Sequence, residues 1–414
     1  MIFTSCKEGI NEPLVELQQT RSVKRGVSYN FQIPDDANLL GPGVSWFYNW
    51  GTVVNDEVNT TTTANDIDFY PMAWNGNFNS AAIRAYKAIH PECEYILAYN
   101  EPNLTDQANM TPDQAAENWP ALKAVATELG LKIISPAMNY GSLSGYGDPI
   151  KWLDDFFTKI PLSDVDGIAI HCYMSSASAM ASYLKRFKKY GKPIWLTEFC
   201  AWDYSVKNVN AQMNYMIEAV SYLECDPDVA RYAWFIPRAS GSVDSYPFMQ
   251  LLTKTTPYTL TDLGKVYVHM SSFDKNTYYP QGQIIEAEHF SSNNFEEAVL
   301  ADSWSTTIHY RPTTDASGTL DVIDFNSDLW LEYLVDITET ESTTLEVRYA
   351  SLYNAKCQFS IDGTEITVVD LLKTNDENSW TTKSLNLSIS KGKHILRIKN
   401  IYGGTSLNWI RISN

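Results

Sequence analysis

The stretch Tyr95-Ile96-Leu97-Ala98-Tyr99-Asn100-Glu101-Pro102-Asn103 decides the fold prediction, because an apolar run stops there at a polar Asn-Glu-Pro-Asn sequence. The apolar part is typical of a buried strand. Pro102 cannot donate to a sheet ladder, and it favours an extended conformation for the residue before it. We therefore predict that Glu101 lies at the very end of a strand, with its carboxylate beside apolar walls.

The same pattern recurs in Pro193-Ile194-Trp195-Leu196-Thr197-Glu198-Phe199-Cys200. Here too an apolar run ends in a glutamate. Two strand-end carboxylates indicate one site that contains an acid and a nucleophile.

Strand-like runs alternate with helical patterns from Arg25 to Met270. Several runs are apolar at successive positions, as in strands that are covered on both faces. Eight such strands predict an α/β fold of the (β/α)8 TIM-barrel class, whose active sites lie at the carboxyl ends of the strands. Glu101 would end the fourth strand and Glu198 the seventh. The predicted strands are 26–30, 44–50, 67–74, 95–100, 132–139, 167–173, 193–199 and 230–235.

Polar and aromatic residues cluster at the ends of the other predicted strands. Aromatic rings pack against the apolar C–H faces of sugars, so this pattern predicts a carbohydrate cleft with carboxylates at its centre. The alternatives are a core position for the histidine and barrel packing for the tryptophans. The candidate substrate-binding residues are Asn100, Trp46, Trp50, Trp74, Asn139, His171, Tyr173, Trp202 and Trp234.

The length, charge and cysteine content of the chain argue against several classes of function. With 414 residues, the chain is too long for one ordinary core, so two domains are expected. The net charge of −18 argues against a nucleic-acid or anionic-membrane partner, since both require basic patches. The six cysteines lack the spacing of a zinc or redox motif. A neutral polymer fits this composition.

The sequence Met1-Ile2-Phe3-Thr4-Ser5-Cys6 is similar to the end of a bacterial lipoprotein signal, with Cys6 as the lipidated residue. Phe3 stands where leucine is usual, and the segment is too short for a full apolar signal region. Either the start is truncated or Cys6 is an ordinary cysteine. A lipid anchor would make residues 1–22 a tether and would place the protein at the cell surface or outside the cell.

The pattern changes after residue 270. Residues 271–283 are predicted to be a linker between a barrel domain at 23–270 and a second domain at 284–414. In the second domain short runs alternate with period two, and Asp362-Gly363 is a hairpin turn signal. This predicts an antiparallel β-sandwich.

A series of motifs in the first domain resembles glycoside hydrolase family 128. The resemblance implies an endo-acting, retaining β-1,3-glucanase for laminarin-type substrates that needs no catalytic cofactor and is expected to be a monomer. It makes Glu101 the acid/base and Glu198 the nucleophile, and Asn100 a donor to the substrate 2-hydroxyl. The motifs are VSWFYNWG (44–51), YPMAW (70–74), NEPN (100–103), MTPDQAA (110–116), SPA (135–137), WLDDF (152–156), IHCY (170–173), WLTEF (195–199) and YAWF (232–235).

Two physical expectations accompany these roles. Glu101 needs a raised pKa to hold its proton, and an aromatic cleft with a second carboxylate would raise it. Tyr173 or His171 is expected to donate to Glu198 and keep it ionised.

The second domain resembles a family 6 carbohydrate-binding module in IIEAE (284–288), WLEY (330–333), LEVRYA (345–350) and LNWI (407–410). The resemblance implies a structural calcium held by Glu286, Glu288 and Asn408, where Asn408 replaces the usual aspartate but still offers an oxygen. It also implies a sugar site with Trp380, although Val322 and Ser406 stand where that family has an aromatic residue and an asparagine. The alternative is a packing or spacer domain.

Two other functions fit the sequence. The same chemistry could act on another β-glycan, such as a mixed-linkage glucan or xylan. Alternatively, the barrel could be a non-catalytic surface protein that binds glucan. The presence of both Glu101 and Glu198 argues against a non-catalytic protein.

Overall fold

The computed structural model describes residues 21–339 and 343–413. Cys6 and residues 1–20 of the predicted tether lie outside this part of the chain. Within it, no helix is both long enough and apolar enough to cross a bilayer. The cysteines at 93, 172, 200, 225 and 357 are buried and free of disulfide bonds.

The first domain alternates strands and helices, as the sequence predicts. Its strands are β1 (Arg25–Ser28), β2 (Trp46–Tyr48), β3 (Asp68–Phe69), β4 (Tyr95–Leu97), β5 (Lys132–Ile134), β6 (Ile168–Cys172), β7 (Ile194–Phe199) and β8 (Val229–Trp234). Its helices are α1 (Asp36–Leu40), α2 (Asp56–Ala64), α3 (Ser80–Ile89), α4 (Pro112–Leu129), α5 (Pro149–Phe157), α6 (Ala177–Lys185), α7 (Val209–Cys225) and α8 (Asp262–His269).

Parallel pairing gives the first domain a barrel-like, mixed α/β architecture. Six strands form a sheet in the order β3-β2-β1-β8-β7-β6, and β4 pairs with β5. Isolated parallel bridges connect these two sheets, from Met72 to Leu97 on one side and from Ile134 to Gly167 and Met138 to Ile170 on the other. The carboxyl ends of all eight strands therefore face the same end of the domain.

The ladders of β3, β4 and β5 are shorter than the predicted runs. Pro71, Pro102 and Pro136 follow these strands closely. Proline has no N–H to donate, so regular pairing stops near each of them. The bridge between Asn100 and Ala137 resumes the pairing beyond β4 and β5 and holds the segment that carries Glu101.

Local signals explain how α4 begins and ends. The Thr111 side chain accepts from Gln114 N, and the Gln114 side chain accepts from Thr111 N in return, which makes a capping box. Pro112 occupies the first turn, and Gly130 ends the helix in the left-handed conformation with φ of 65°. The helix predicted to open at 111–114 and to run to Leu129 is thus present.

The described residues of the second domain form one short helix and two sheets, which are antiparallel except where β9 pairs with β14. One sheet has the order β12-β13-β20-β15-β18 with β10 on β20, and the other has the order β11-β14-β19-β16-β17 with β9 on β14. The elements are β9 (Tyr279–Pro280), β10 (Ile284–Glu286), β11 (Ser292–Asn293), α9 (Asn294–Leu300), β12 (His309–Pro312), β13 (Leu320–Asn326), β14 (Trp330–Ile337), β15 (Thr343–Ala350), β16 (Ala355–Ile361), β17 (Thr364–Leu371), β18 (Thr381–Leu387), β19 (Gly392–Tyr402) and β20 (Gly404–Ser413).

Contacts at the amino end of β1 and along the outer helices join the two domains. The buried Arg25 guanidinium donates to the carbonyl oxygens of Tyr267, Met270 and Ser271 and forms an ion pair with Glu224 at 3.0 Å. It therefore fixes the segment that leaves α8. The helices α7 and α8 contact β12, and α7 also contacts α9.

Candidate active site

Two buried carboxylates meet at the carboxyl ends of β4 and β7. Glu101 is 7 % exposed and Glu198 is 5 % exposed. Glu101 has φ of 44°, so its predicted extended conformation is wrong: the residue lies in the left-handed region. Its N–H donates to the carbonyl oxygen of Ala137 at 3.0 Å, and this bond from the neighbouring strand end holds a backbone conformation that costs roughly 1–3 kcal/mol.

His171, near the end of β6, lies between the two carboxylates. Its Nδ1 is 2.8 Å from Glu101 Oε1 and 3.3 Å from Glu198 Oε2. One oxygen of each glutamate and a ring nitrogen of His171 all lie within 4.8 Å of one another. The imidazole is fully buried, and its Nε2 has no hydrogen-bond partner among the described residues. His171 can therefore hold a proton for the carboxylates.

Glu198 accepts hydrogen bonds from three aromatic side chains. Tyr48 Oη donates to its Oε1 at 2.8 Å, Trp50 Nε1 donates to the same oxygen at 2.7 Å, and Tyr173 Oη donates to Oε2. Burial and the Glu198 carboxylate raise the pKa of Tyr48 and of Tyr173 far above the usual tyrosine value. Both phenols thus remain donors at neutral pH and stabilise the ionised carboxylate.

The pKa shifts of Glu101 and His171 differ from the sequence-based prediction. Burial raises the pKa of Glu101, but the hydrogen bond and charge of His171, with a 3.0 Å hydrogen bond from Asn139 Nδ2, bring that pKa below its ordinary value. Burial lowers the pKa of His171, but the charges of Glu198 and Glu101 outweigh it and raise that pKa. The predicted rise in the pKa of Glu101 is therefore wrong for the free site, where the pKa of Glu101 is lowered and that of His171 is raised.

An open cleft surrounds the carboxylates. This central cleft has a volume of about 510 Å³, and a side pocket of about 470 Å³ shares Asn139, Tyr173 and Trp202 with it. The two form one groove that extends to both sides of the glutamates. The central cleft is lined by Trp50, Trp74, Asn100, Glu101, Gln107, Asn139, Tyr173, Glu198, Trp202 and Phe235.

Asn100 is held in place by a neighbour that the sequence did not reveal. Its Nδ2 donates to Gln107 Oε1 at 3.2 Å, and its buried Oδ1 has no hydrogen-bond partner among the described residues. One of the two N–H groups of the amide is therefore engaged by Gln107, and the other is left for a further partner.

Two predicted sugar platforms lie inside the barrel instead. Trp46 is 1 % exposed and stacks on Tyr48 and Tyr70, and its Nε1 donates to Lys24 O at 3.0 Å. Trp234 is fully buried, and its Nε1 donates to Met249 O at 2.8 Å. Neither ring can reach a substrate, so both predictions are wrong: these tryptophans pack the core.

The structure adds residues to the predicted site. Tyr48 shares a face of β2 with Trp46, since it is two residues away on the same strand, so the period of the strand could have identified it. Phe235 follows Trp234 at the end of β8 and stacks near Trp202 with ring centroids 6.0 Å apart. No sequence signal distinguishes Gln107.

In the second domain, the acidic residues predicted to hold calcium converge. Glu288 is fully buried, and its Oε2 and the Oδ1 of Asn408 have no hydrogen-bond partner among the described residues. A Cβ added at Gly318 would lie 2.8 Å from Glu286 Oε2 and 2.9 Å from Asn408 Oδ1, so these oxygens line one small cradle. Burial raises the pKa of Glu288 well above its ordinary value, and the charges of Glu286 and Asp321 add to the rise.

The predicted sugar site of this domain is only partly assembled. Val322 is fully buried, and Trp380 Nε1 donates to Thr314 Oγ1 at 3.0 Å. Trp380 does not line the nearby pocket of about 240 Å³. That loop pocket is formed instead by residues that include Arg311, Asp324, Asn326, Tyr353, Glu377 and Ser406.

Two protein-family models match this chain, one in each domain. The family model described as glycosyl hydrolase catalytic core matches residues 26–267, and that of the family 35 carbohydrate-binding module matches residues 305–412. The second match supports a carbohydrate-binding module and corrects the predicted assignment to family 6.

Comparison with solved structures agrees for the first domain. The chain is 39 % identical to a family 128 (subgroup II) endo-β-1,3-glucanase from Pseudomonas viridiflava, over 60 % of this chain and 98 % of that one, with a TM-score of 0.56. For a subgroup II endo-β-1,3-glucanase from Sorangium cellulosum the identity is 35 %, over 59 % and 97 % of the two chains, with a TM-score of 0.52.

A curated relative is similar over the same region. Alkali-sensitive linkage protein 1 of Schizosaccharomyces pombe is 26 % identical over 258 residues, which are 60 % of this chain and 44 % of that protein. The chain thus spans less than half the length of this relative.

Proposed function

This chain belongs to the glycosyl hydrolase catalytic core family and, within it, to glycoside hydrolase family 128, and on that premise we propose that it cleaves internal linkages of β-1,3-glucan with retention of configuration. The observation that carries the proposal is the pair of buried carboxylates, Glu101 and Glu198, which approach each other beside His171 in an aromatic-lined cleft. The Pseudomonas and Sorangium proteins are endo-β-1,3-glucanases, and this supports the choice of substrate.

The spacing of the carboxylates supports retention. Retaining glycosidases hold their two carboxyl groups about 5–5.5 Å apart, whereas inverting enzymes leave about 6.5–9.5 Å for a water molecule. Oxygens of Glu101 and Glu198 lie within 4.8 Å of one another. This separation is shorter than the range of inverting enzymes and supports direct attack by a carboxylate.

The hydrogen bonds support the assignment of roles. Glu198 receives donors from Tyr48, Trp50 and Tyr173, which hold its carboxylate in place as the nucleophile. It attacks the anomeric carbon and forms a glycosyl ester while Glu101 protonates the departing oxygen. Water then attacks the ester, Glu101 takes its proton, and Glu198 is released.

His171 supplies the proton that Glu101 lacks in the free site. Transfer along the 2.8 Å contact converts the ion pair into a neutral imidazole and a neutral carboxylic acid. Bound substrate expels water, and exclusion of water favours the neutral pair over the charged one. After the second step the proton returns to His171, so the site ends as it began.

The shape of the groove supports internal cleavage. The central cleft and the side pocket leave room for sugar units on both sides of the glutamates. Trp50 and Trp74 line one part and Trp202 stands at the junction of the two. A reducing-sugar assay over β-1,3-glucan, mixed-linkage glucan and xylan, with sizing of the products, tests substrate and mode together: release of only monomer, or preference for xylan, would overturn the proposal.

We also propose that the first domain is a closed (β/α)8 barrel and the second a β-sandwich. The ring of pairings from β3 through β1 and β8 to β6, continued by isolated bridges to β4 and β5, supports closure. The two antiparallel sheets of the second domain support a sandwich.

A structural calcium ion in the second domain is part of the proposal. Glu286, Glu288 and Asn408 would hold it, because Glu286 Oε2 and Asn408 Oδ1 lie together beside Gly318, and Glu288 Oε2 and Asn408 Oδ1 lack partners among the described residues. Oxygen ligands from carboxylates and amides are those that calcium prefers. The ion would neutralise buried carboxylates and tie β10 to β20.

A further inference from the structure

A pocket between the two domains has the chemistry of a second carbohydrate site. This junction pocket has a volume of about 490 Å³ and lies where α7 of the barrel meets the strand that carries His309. Its volume falls within the range of about 300–1,000 Å³ that small-molecule sites occupy. The junction pocket is lined by Glu218, Trp304, Ser305, Thr306, Thr307 and His309.

Packing fixes an aromatic platform in the junction pocket. Glu218 and Tyr222 are one turn apart on α7, so they share a face of that helix. Trp304 of the second domain stacks on Tyr222 at 6.0 Å and meets Phe295 edge-to-face at 5.1 Å, yet it remains 40 % exposed. Contacts from both domains thus hold a partly open indole in one orientation.

Two residues that line the junction pocket carry polar atoms without hydrogen-bond partners among the described residues. The Oγ1 of Thr307 and the Nε2 of His309 are buried and have no hydrogen-bond partner among the described residues. His309 is oriented from its other side, where Nδ1 lies 3.0 Å from Asp324 Oδ2. Burial raises the pKa of Glu218, and the charge of His309 partly offsets the rise. A ligand that supplies hydroxyl groups would satisfy these atoms.

We propose that the junction pocket binds a sugar unit of a neutral glycan, stacked on Trp304 and hydrogen-bonded to Glu218, Thr307 and His309. Hydroxyl groups both donate and accept, so they suit an acceptor-only carboxylate and either tautomer of the imidazole. Two carboxylates, Glu218 and Asp324, flank His309 and disfavour an anionic ligand. The identity of the glycan rests on the proposed function, which makes it the β-1,3-glucan that the barrel cleaves.

Such a site would hold the polymer away from the cleft. A second contact on one chain raises the affinity for a long polymer through effective concentration, but it adds nothing for an oligosaccharide too short to span both sites. The junction pocket should therefore matter for insoluble glucan and not for short soluble substrates.

The test compares binding and turnover in the full chain. In the E198A background, which leaves the glucan uncut, we expect E218A and T307V each to weaken depletion binding to insoluble curdlan about fivefold, as loss of a hydrogen bond predicts. In the otherwise unchanged chain, the same substitutions should leave turnover of soluble laminarihexaose within twofold. E297A, which removes an exposed acid of α9 outside the pocket, is the matched control and should change neither quantity.

Unchanged curdlan binding by both E218A and T307V would overturn the inference, and so would a parallel loss of laminarihexaose turnover, since that would place the effect in the catalytic domain. Failure of the proposed function has a different signature. In that case the unsubstituted chain would release no sugar from any β-1,3-glucan.

Discussion

His171 Nδ1 donates to Glu101 Oε1 at 2.8 Å, and this contact determines where the site keeps its proton. The charged groups that face the ring are Glu101 and Glu198. Tyr48 and Tyr173, which donate to Glu198, stay neutral because their pKa values are raised. The charges of these two carboxylates stabilise the imidazolium form of His171, although the ring is buried. The acid function therefore belongs to a pair of residues, and its titration is that of the pair.

The first prediction concerns H171Q, which keeps an amide donor for Glu101 but removes the titrating ring. In the natural site the alkaline limb of kcat/KM reports loss of the proton from His171, whose pKa is raised by the carboxylates. In the variant the proton must be held by Glu101, a carboxyl group with a lower intrinsic pKa. We expect the alkaline limb to move to lower pH, measured as a full pH profile.

Y173F is the control for this profile, since it alters a donor to Glu198 and leaves His171 in place. Its alkaline limb should stay near that of the natural protein even if kcat falls. An H171Q profile that superimposes on the natural one would rule out a proton held by His171.

The second prediction separates the roles of the two glutamates. E101A should lose about 10²–10⁴-fold in turnover of laminarin, the usual contribution of a general acid. E198A should lose at least as much, because no covalent intermediate can form. With an activated aryl glycoside, azide should rescue both: it replaces the nucleophile in E198A and gives the α-azide, and it replaces water in E101A and gives the β-azide. NMR of the products distinguishes them, and the opposite stereochemistry would exchange the assignments.

The sequence predicted the catalytic pair because a strand that ends at a glutamate is a local signal. It could not separate Trp46, which begins β2, from Trp50, which lies just beyond the end of that strand. The two rings lie at different depths in the barrel. The ring of Trp46 covers Gly26, where an added Cβ would come within 2.4 Å of the indole. The ring of Trp50 instead reaches Glu198. The place of His171 depends on the register between β6 and β7, which shifts after Ile170, and this is a tertiary property.

The third prediction contrasts two tryptophans. Trp202 is 44 % exposed at the rim of the central cleft, so W202A should raise KM for laminarin about 3- to 10-fold with little change in kcat, as loss of one aromatic contact predicts. Trp46 is buried, so W46A should lower the free energy of unfolding by about 3–5 kcal/mol. Steady-state kinetics and thermal unfolding of both variants check this. Unchanged KM in W202A, or unchanged stability in W46A, would contradict the placement.

The fourth prediction tests calcium through Glu288. In metal-free protein this buried carboxylate has a raised pKa, so the folded state binds its proton more tightly than the unfolded state. The stability that this proton contributes is therefore gained as pH falls from neutral towards the ordinary glutamate range, and it is lost as pH rises. E288Q has no such proton to bind, so its free energy of unfolding should exceed that of the natural chain at neutral pH when calcium is absent.

Calcium should reverse that order. An ion present at a hundred times its dissociation constant stabilises the folded state by about 2.7 kcal/mol, and E288Q has lost a charged ligand. Calorimetry of the natural chain, E288Q and the exposed-acid control E297Q, each with calcium and with chelator, measures how much calcium stabilises each of the three proteins. E297Q should follow the natural chain, because Glu297 lies on the exposed face of α9, away from the cradle. If calcium raises the unfolding temperature of E288Q as much as that of the natural chain, then the ion is not held by Glu288.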